Sequence, residues 1–385
     1  MIRPLALRVV LSAALVVPAT ALAQDSQLTT NMSASASQIY DANLFAAPSS
    51  TAAQSDVITR VGPAFGLEYR ARTLITTARY ELQAERYLNH PTLTSNTSHQ
   101  AATIGLRYLP SKLLNLGLTT GYVRTQTPSE LNIESQLSFG RAPAERVSVN
   151  STASYKWSRV TQLTGEYVFG RDTLIGVMSN ASHRSRVGVQ RSDGTRNSIH
   201  ADYEFRNFET GVGAWSSSHV MSAGWTHQFT RRTGFDITAG PRLSEGTTGA
   251  EVSAALRYQA SNGDYSIRYS STEMTTFGEL GAVEVQRIAI GAQYRPARWC
   301  SLTATPAFTT SARANTRVPV SALDIESAFD LTRRLSLVAW GRAGRQRGTL
   351  SGSPGVIPYH TLGVTLRVAP SHAASVRHSI RQASS

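Results

Sequence analysis

Cysteine is almost absent from this chain: Cys300 is the only one among 385 residues. A single thiol cannot close an intramolecular disulfide, so sulfur cross-links do not hold the fold. Beside Trp299 it reads as a small packing residue. Lysine is nearly as scarce, with only Lys112 and Lys156, so the formal net charge of +13 is carried by arginine. Charged residues make up only 16% of the chain and apolar residues 41%, which leaves a thin supply for a conventional dry core at this length. Long hydrophobic runs are missing too: after Val17 no stretch approaches the ~20 apolar residues of a spanning helix.

The first residues have the form of an export leader. Arg3 and Arg8 flank the apolar run from Leu5 to Val17, and Ala21-Leu22-Ala23 supplies small residues ahead of Gln24. That pattern predicts a cleaved Sec-type signal peptide over 1–23, a single unit over 24–370 and a basic tail over 371–385. Export removes nucleic acid as the partner for so basic a chain. Phosphate-rich lipid head groups or acidic polysaccharide remain as anionic partners, and a bias toward arginine codons explains the charge equally well.

Within 24–370 the side chains alternate with a period of two, in segments of about 9 to 14 residues, the length of a tilted membrane-crossing strand. Leu74, Thr76, Ala78, Tyr80, Leu82 and Ala84 share one face, with Arg79, Glu81 and Gln83 on the other. The same split separates Ile199, Ala201, Tyr203 and Phe205 from His200, Asp202, Glu204 and Arg206. It also separates Val252, Ala254, Leu256 and Tyr258 from Glu251, Ser253 and Arg257. No helical period competes. A closed sheet satisfies its own backbone in oil and needs only one apolar residue in two.

Short turns of recurring form punctuate the strands: Tyr108 to Lys112, Tyr155 to Arg159, His227 to Arg231, Tyr294 to Arg298 and Phe329 to Arg333, with Asp193-Gly194 and Asn262-Gly263 between them. The repeating unit is therefore two strands, a short turn and a longer Ser/Thr/Gly-rich loop. Counting from Gln27 gives 18 antiparallel strands ending near Val368, or 16 if two weak segments are loops. The predicted fold is an all-β, up-and-down transmembrane barrel with short periplasmic turns and longer extracellular loops. Tyr69, Tyr108, Tyr155, Trp157, Phe229, Tyr258, Tyr265, Tyr294, Trp299 and Phe329 lie beside the short turns and are expected to form a periplasmic aromatic girdle.

The charges opposite the apolar face are expected to line the lumen: Arg79, Glu81, Glu85, Arg107, Glu166, Asp202, Glu204, Arg206, Arg242, Glu251, Arg257, Arg268, Arg287, Asp324, Glu326 and Arg367. In the bilayer midplane each arginine would cost about 2–4 kcal/mol, which ties their phase to the inside. They form either a selectivity surface for an anionic or sugar solute or a set of cross-strand ion pairs bracing a wide lumen; the second reading is preferred.

With these features in place, the chain resembles the outer-membrane β-barrel proteins of exopolysaccharide and capsule systems, including those associated with exosortase. The resemblance spans most of residues 27–368. It rests on Tyr40-Asp41-Ala42-Asn43-Leu44-Phe45, on the short turns and on Gly240-Pro241-Arg242-Leu243-Ser244-Glu245-Gly246. It implies a barrel in the outer membrane of a Gram-negative bacterium, in contact with lipid, lipopolysaccharide and the barrel-insertion machinery. One departure is the lack of a terminal aromatic after Arg367-Val368, which leaves Tyr359 as the nearest internal aromatic for that machinery.

The histidines, among them His183, His200, His219 and His227, show no metal-ligand spacing, and no residue set selects a catalytic triad or a carboxylate pair. Neither enzyme activity nor a cofactor is expected. The functional expectation is a channel assisting passage of a hydrophilic solute or export of surface polysaccharide. The alternative is a non-conducting structural or adhesive barrel whose loops, notably Gln126 to Ala144, bind outside partners.

Overall fold

The computed structural model describes residues 26–211, 214–245, 247–369 and 374–378. The leader over 1–23 lies outside the described residues. Eighteen strands follow in order: β1 Ser26–Asp41, β2 Asp56–Arg70, β3 Leu74–Tyr87, β4 Ser95–Tyr108, β5 Leu114–Thr125, β6 Ala144–Lys156, β7 Thr161–Leu174, β8 Met178–Asp193 and β9 Asn197–Gly211. The second half comprises β10 Ala214–Gln228, β11 Thr233–Ser244, β12 Thr247–Gln259, β13 Gly263–Thr275, β14 Ala282–Ala297, β15 Cys300–Arg313, β16 Thr316–Asp330, β17 Leu335–Arg347 and β18 Val356–Val368. Each pairs antiparallel with the next, and β18 returns to β1 with Ala34 opposite Val368 and Asp41 opposite Thr361, so the barrel is closed. At the seam the hydroxyls of Ser37 and Thr365 lie 2.9 Å apart.

Residues after 370, set apart by composition as a tail, contribute a short β19 at Ala374–His378. It pairs with Ser26–Thr30 below the end of β18.

The pairing register gives every strand an inner and an outer face. On β2 the buried Ile58 and half-buried Arg60 share the inner face, while Val61, Phe65 and Leu67 are exposed on the other. On β16 Val318 and Val320 are buried inside, and Leu323 and Ile325 are exposed outside. The outer wall is thus a band of Leu, Ile, Val and Tyr, as a closed sheet in contact with oil requires.

The two ends differ. Connections at the lower end, where β1 starts and β18 finishes, are short throughout, from residues 298–299 to residues 109–113. At the upper end five connections are longer (42–55, 88–94, 126–143, 276–281 and 348–355), but four are as tight as the lower ones. The Ser/Thr/Gly-rich loops expected there are shorter because the strands continue into them: β8 already starts at Met178 and β10 at Ala214. Ser and Asn in these extensions bond along the ladder as well as apolar residues do, so polarity alone does not end a strand.

Contrary to the expectation that a polar lumen dispenses with a core, three apolar clusters fill its upper half. Leu137, Val283, Val285, Val318, Val320, Ala322, Leu350 and Tyr359 form the largest. Ile39, Leu44, Ile58 and Tyr87 form a second, and Leu131, Ala144 and Phe277 a third. Tyr359 faces inward and is buried, its ring over Gly344, where a Cβ would fall 2.2 Å from the ring. It therefore takes no part in the outer aromatic surface. Cys300 is free and buried at the lower end, opposite Phe329.

Closure predicts a specific cross-link. In a Cys300→Ser background, Ser37→Cys with Thr365→Cys forms a disulfide without added strain, because these side chains already touch across the seam. Non-reducing gel mobility reads it; failure of this pair to oxidise while Ser37→Cys pairs with another strand would refute the register.

Candidate functional site

The longest connection, residues 126–143 between β5 and β6, folds into the upper lumen. Pro128 opens a single 3-10 turn, Pro128–Leu131, and the segment closes on itself where Ser129 Oγ accepts from Phe139 N at 2.9 Å and donates to Phe139 O at 3.1 Å. Leu131 and Leu137 are buried. The segment Gln126 to Ala144, expected as an external docking loop, instead turns its apolar residues and most of its charges inward, and Ala144 is fully buried.

Charges fasten one side of the loop to β1–β3. Arg60 Nε donates to Glu85 Oε1 at 2.8 Å, and its Nη2 donates to Glu130 Oε1 of the loop at 3.1 Å. Thr125 Oγ1 donates to Glu130 Oε2 at 3.0 Å, and His99 Nδ1 is 3.7 Å from the same oxygen. Burial pushes the Glu130 carboxyl up, but Arg60, His99 and Arg141 outweigh it and hold the group below its usual range. Arg141 reaches Asp41 at 2.9 Å, bonds Thr127 Oγ1 and lies over the Tyr87 ring at 5.8 Å. Tyr87 in turn donates to Glu85 at 2.7 Å.

The far side of the loop is held by packing, amide bonds and one ion pair. Asn132 Nδ2 donates to Phe277 O at 3.4 Å and Phe277 N donates to Asn132 Oδ1 at 2.9 Å, joining residues 126–143 to residues 276–281 across the lumen. Ser138 N donates to Gln346 Oε1 of β17 at 2.8 Å, and Arg287 Nη1 to Glu134 Oε2 at 2.7 Å. Phe139 lies against Gly278, whose φ of +82° and 2.7 Å clearance from the ring admit only glycine. Glu279 in the same connection is pushed up by burial, an effect Arg313 partly offsets.

Beside and below the loop the lumen is open. A cavity of about 550 Å³ is bounded by Arg60, Glu130, Arg141, Asp324, Glu326 and Arg342. One of about 360 Å³ lies between Glu134, Arg287, Asp236 and Arg268, and one of about 460 Å³ continues to the lower mouth past Arg268, Arg257, Arg231 and Arg232. The last two share Ser266, Arg268 and Gly291, and the first meets them at Thr305 and Thr303. The three therefore adjoin one another beside and beneath the loop.

By register, Arg79, Glu81, Glu85, Arg107, Glu166, Asp202, Glu204, Arg206, Arg242, Glu251, Arg257, Arg268, Arg287, Asp324, Glu326 and Arg367 all lie on the inner face. Arg79 pairs with Glu81 at 3.2 Å, Glu166 lies 3.5 Å from Arg184 and Asp202 3.8 Å from His200, and Glu326 has no ion-pair partner among the described residues. The other eleven divide into three sets. Glu204, Arg206, Arg242 and Glu251 form one buried network, with Arg206 Nη1 2.9 Å and Arg242 Nη1 3.1 Å from Glu251 Oε1. Glu85, Arg287 and Asp324 are tied locally, Asp324 to Arg342 at 2.5 Å. Arg107, Arg257, Arg268 and Arg367 have no acidic partner among the described residues, and they lie in the lower half.

The ten girdle aromatics sit at the lower end, where Tyr258 stacks on Tyr265 at 6.2 Å and Trp299 approaches Phe329 at 6.3 Å. A higher set on the outer wall, including Tyr167, Tyr203, Trp215 and Phe308, was not anticipated. Also missed were Arg60, which the alternation of β2 could have revealed, and Asp41, Glu130, Asn132 and Arg141, for which no periodicity exists. The Tyr40 to Phe45 motif is an anchor: Asp41 receives Arg141, and Asn43 Nδ2 donates to Ala47 O and Pro358 O, each at 2.8 Å.

No protein-family model matches the chain, and no curated protein matches it by sequence. Solved structures do. OccK9 (OpdG) of Pseudomonas aeruginosa superposes with a TM-score of 0.52 at 9% identity, covering 89% of this chain and 98% of its own. OccAB4 of Acinetobacter baumannii gives 0.50 at 9% identity over 92% and 99%, and OpdQ of Pseudomonas aeruginosa gives 0.50 at 8% identity over 91% and 98%. At such identities the likeness is one of fold: this chain shares the closed antiparallel barrel architecture of these proteins.

Proposed function

We propose that this chain is an outer-membrane channel for small hydrophilic solutes, narrowed by residues 126–143 and favouring anions at its lower mouth. The observation that carries the reading is the series of adjoining cavities beneath an infolded loop, arginine-lined toward the lower mouth. An outer face of exposed Leu, Ile, Val and Tyr suits lipid, and the leader and insertion machinery belong to the same reading. These cavities suit small solutes. Export of surface polysaccharide, implied by the resemblance, would require the loop to leave the lumen. The adhesive alternative loses its main support because the loop meant to meet outside partners is held inside.

Conductance in planar bilayers is the direct test. The wild-type barrel is expected to carry a small current, and replacing residues 129–140 by a short Gly/Ser link should raise it several-fold. A barrel that stays silent in both forms would remove the channel reading.

The loop's electrostatic fastening gives a pH dependence. Because Glu130 has a lowered pKa when docked, the docked loop binds fewer protons than the free one, and this contribution is present above the ordinary value of 4.5 and lost as pH falls below it. Conductance should therefore rise on acidification below that value, and Glu130→Gln should abolish most of the step. A step unchanged by the substitution would exclude Glu130 as its source.

Selectivity checks the lower mouth. Arg257→Glu with Arg268→Glu should shift the reversal potential in a salt gradient from anion toward cation preference, leaving folding intact because neither arginine has an acidic partner among the described residues. An unchanged reversal potential would show that permeating ions do not pass these residues.

A further inference from the structure

One group of basic side chains stands on the wrong side of the wall for a lumen. Arg345 and Arg347 on β17, Arg317 on β16 and His360 on β18 lie on the outer face, opposite the buried Val318, Val320, Gln346 and Tyr359, and all four are exposed. Arg345 and Arg347 are two residues apart on one strand, about 7 Å. Arg345 faces Pro358 and His360 faces Ala343, so His360 is the diagonal neighbour of Arg345 at roughly 7–8 Å. Continuing the Val320–Gln346 register places Arg317 diagonal to Arg347 in the same way.

Their height is informative. Leu335 begins β17 at the lower end, and Arg345 is ten residues above it. With ~3.4 Å per residue and a strand tilt near 40°, that is about 26 Å, close to the ~25 Å apolar band of a membrane barrel. Directly below on the same face are Leu323, Ile325, Leu362, Val364 and Leu366, all exposed. No Asp or Glu occurs anywhere in residues 331–368, nor in 313–323. Other outward arginines near this height differ: Arg124 is 3.7 Å from Glu145, Arg171 donates to Ser179 at 3.0 Å, and Arg86 stands alone opposite Thr59.

We propose that Arg317, Arg345, Arg347 and His360 form a binding site for the phosphorylated head group of an outer-leaflet glycolipid, whose acyl chains lie on the Leu323–Leu366 surface beneath. Guanidinium groups offer paired N–H donors that match phosphate oxygens. Apolar side chains immediately below require a ligand that is anionic at one end and oily at the other. This assignment rests on the membrane reading above and gives it a lipid partner at a named place.

The test uses the full barrel refolded in detergent micelles, with folding checked by heat-modifiable gel migration. Native mass spectrometry then counts bound bis-phosphorylated lipid A, dephosphorylated lipid A or inorganic phosphate. Wild type and Arg86→Ser/Arg171→Ser should retain the bis-phosphorylated lipid, while Arg317→Ser/Arg345→Ser/Arg347→Ser retains at least tenfold less. Equal retention by the triple variant, equal binding of the dephosphorylated lipid, or displacement of the lipid by millimolar inorganic phosphate would each overturn the assignment. Because the assay runs in micelles, its failure is separable from failure of the channel reading, which is decided by conductance.

Discussion

Every backbone N–H and C=O in an apolar surrounding needs a partner within the protein, and the closure of β1 onto β18 is what supplies it here. Once the seam is made, each of β1 to β18 has a neighbour on both sides and the wall can be thin. Only alternate side chains must be apolar, which is why a chain so rich in Ser, Thr and Arg can present an unbroken outer band of Leu, Ile, Val and Tyr. The other half of the side chains is released from any duty toward oil. The inner face is therefore free to carry charge, and it is there that this barrel becomes specific.

That freedom is used to build a second structure inside the first. Residues 126–143 are anchored differently on their two sides. Toward β1–β3 the contacts are mainly ionic, from Arg60 to Glu130 and from Arg141 to Asp41; toward β13–β18 they are apolar and amide contacts around Leu137 and Asn132, joined by the ion pair of Glu134 with Arg287. Buried ion pairs contribute little net stability once desolvation is counted, although removing one partner costs about 3–5 kcal/mol. Leu131, Leu137 and Phe277 supply the favourable burial. The ionic contacts to β1–β3 set position and make it sensitive to protonation.

The wall was legible in the sequence because its physics is local. Each of β3, β9 and β12 shows its two faces within a dozen residues, and the aromatic-rich short turns mark the lower boundary. Strand ends at the top were less legible, since Met178 to Ser182 and Ala214 to Ser217 extend strands with residues that resemble loops. The infolded loop was not legible at all. Its partners Asp41, Phe277 and Gln346 are distant along the chain, and no period links Asn132 to Phe277 or Ser138 to Gln346. Asp41 and Asn43 were noticed as a motif, but what they hold becomes visible only when the loop is placed beside them.

Arginine, the residue that gives this chain its net charge, meets three fates that follow from position in the barrel. In the upper lumen Arg60, Arg141, Arg206 and Arg242 are consumed by carboxylates, so they lock loop and wall and leave little field for a solute. In the lower lumen Arg257 and Arg268 line an open cavity and have no acidic partner among the described residues, so their charge is left unpaired. At the top of the outer wall Arg345 and Arg347 face neither acid nor lumen. A guanidinium at that height needs water or an anion to solvate it, because the side chains one step below are apolar. A single residue type thus serves as clamp, as field and as boundary marker, and which role it plays is set by the parity of its strand position and its height above the short turns.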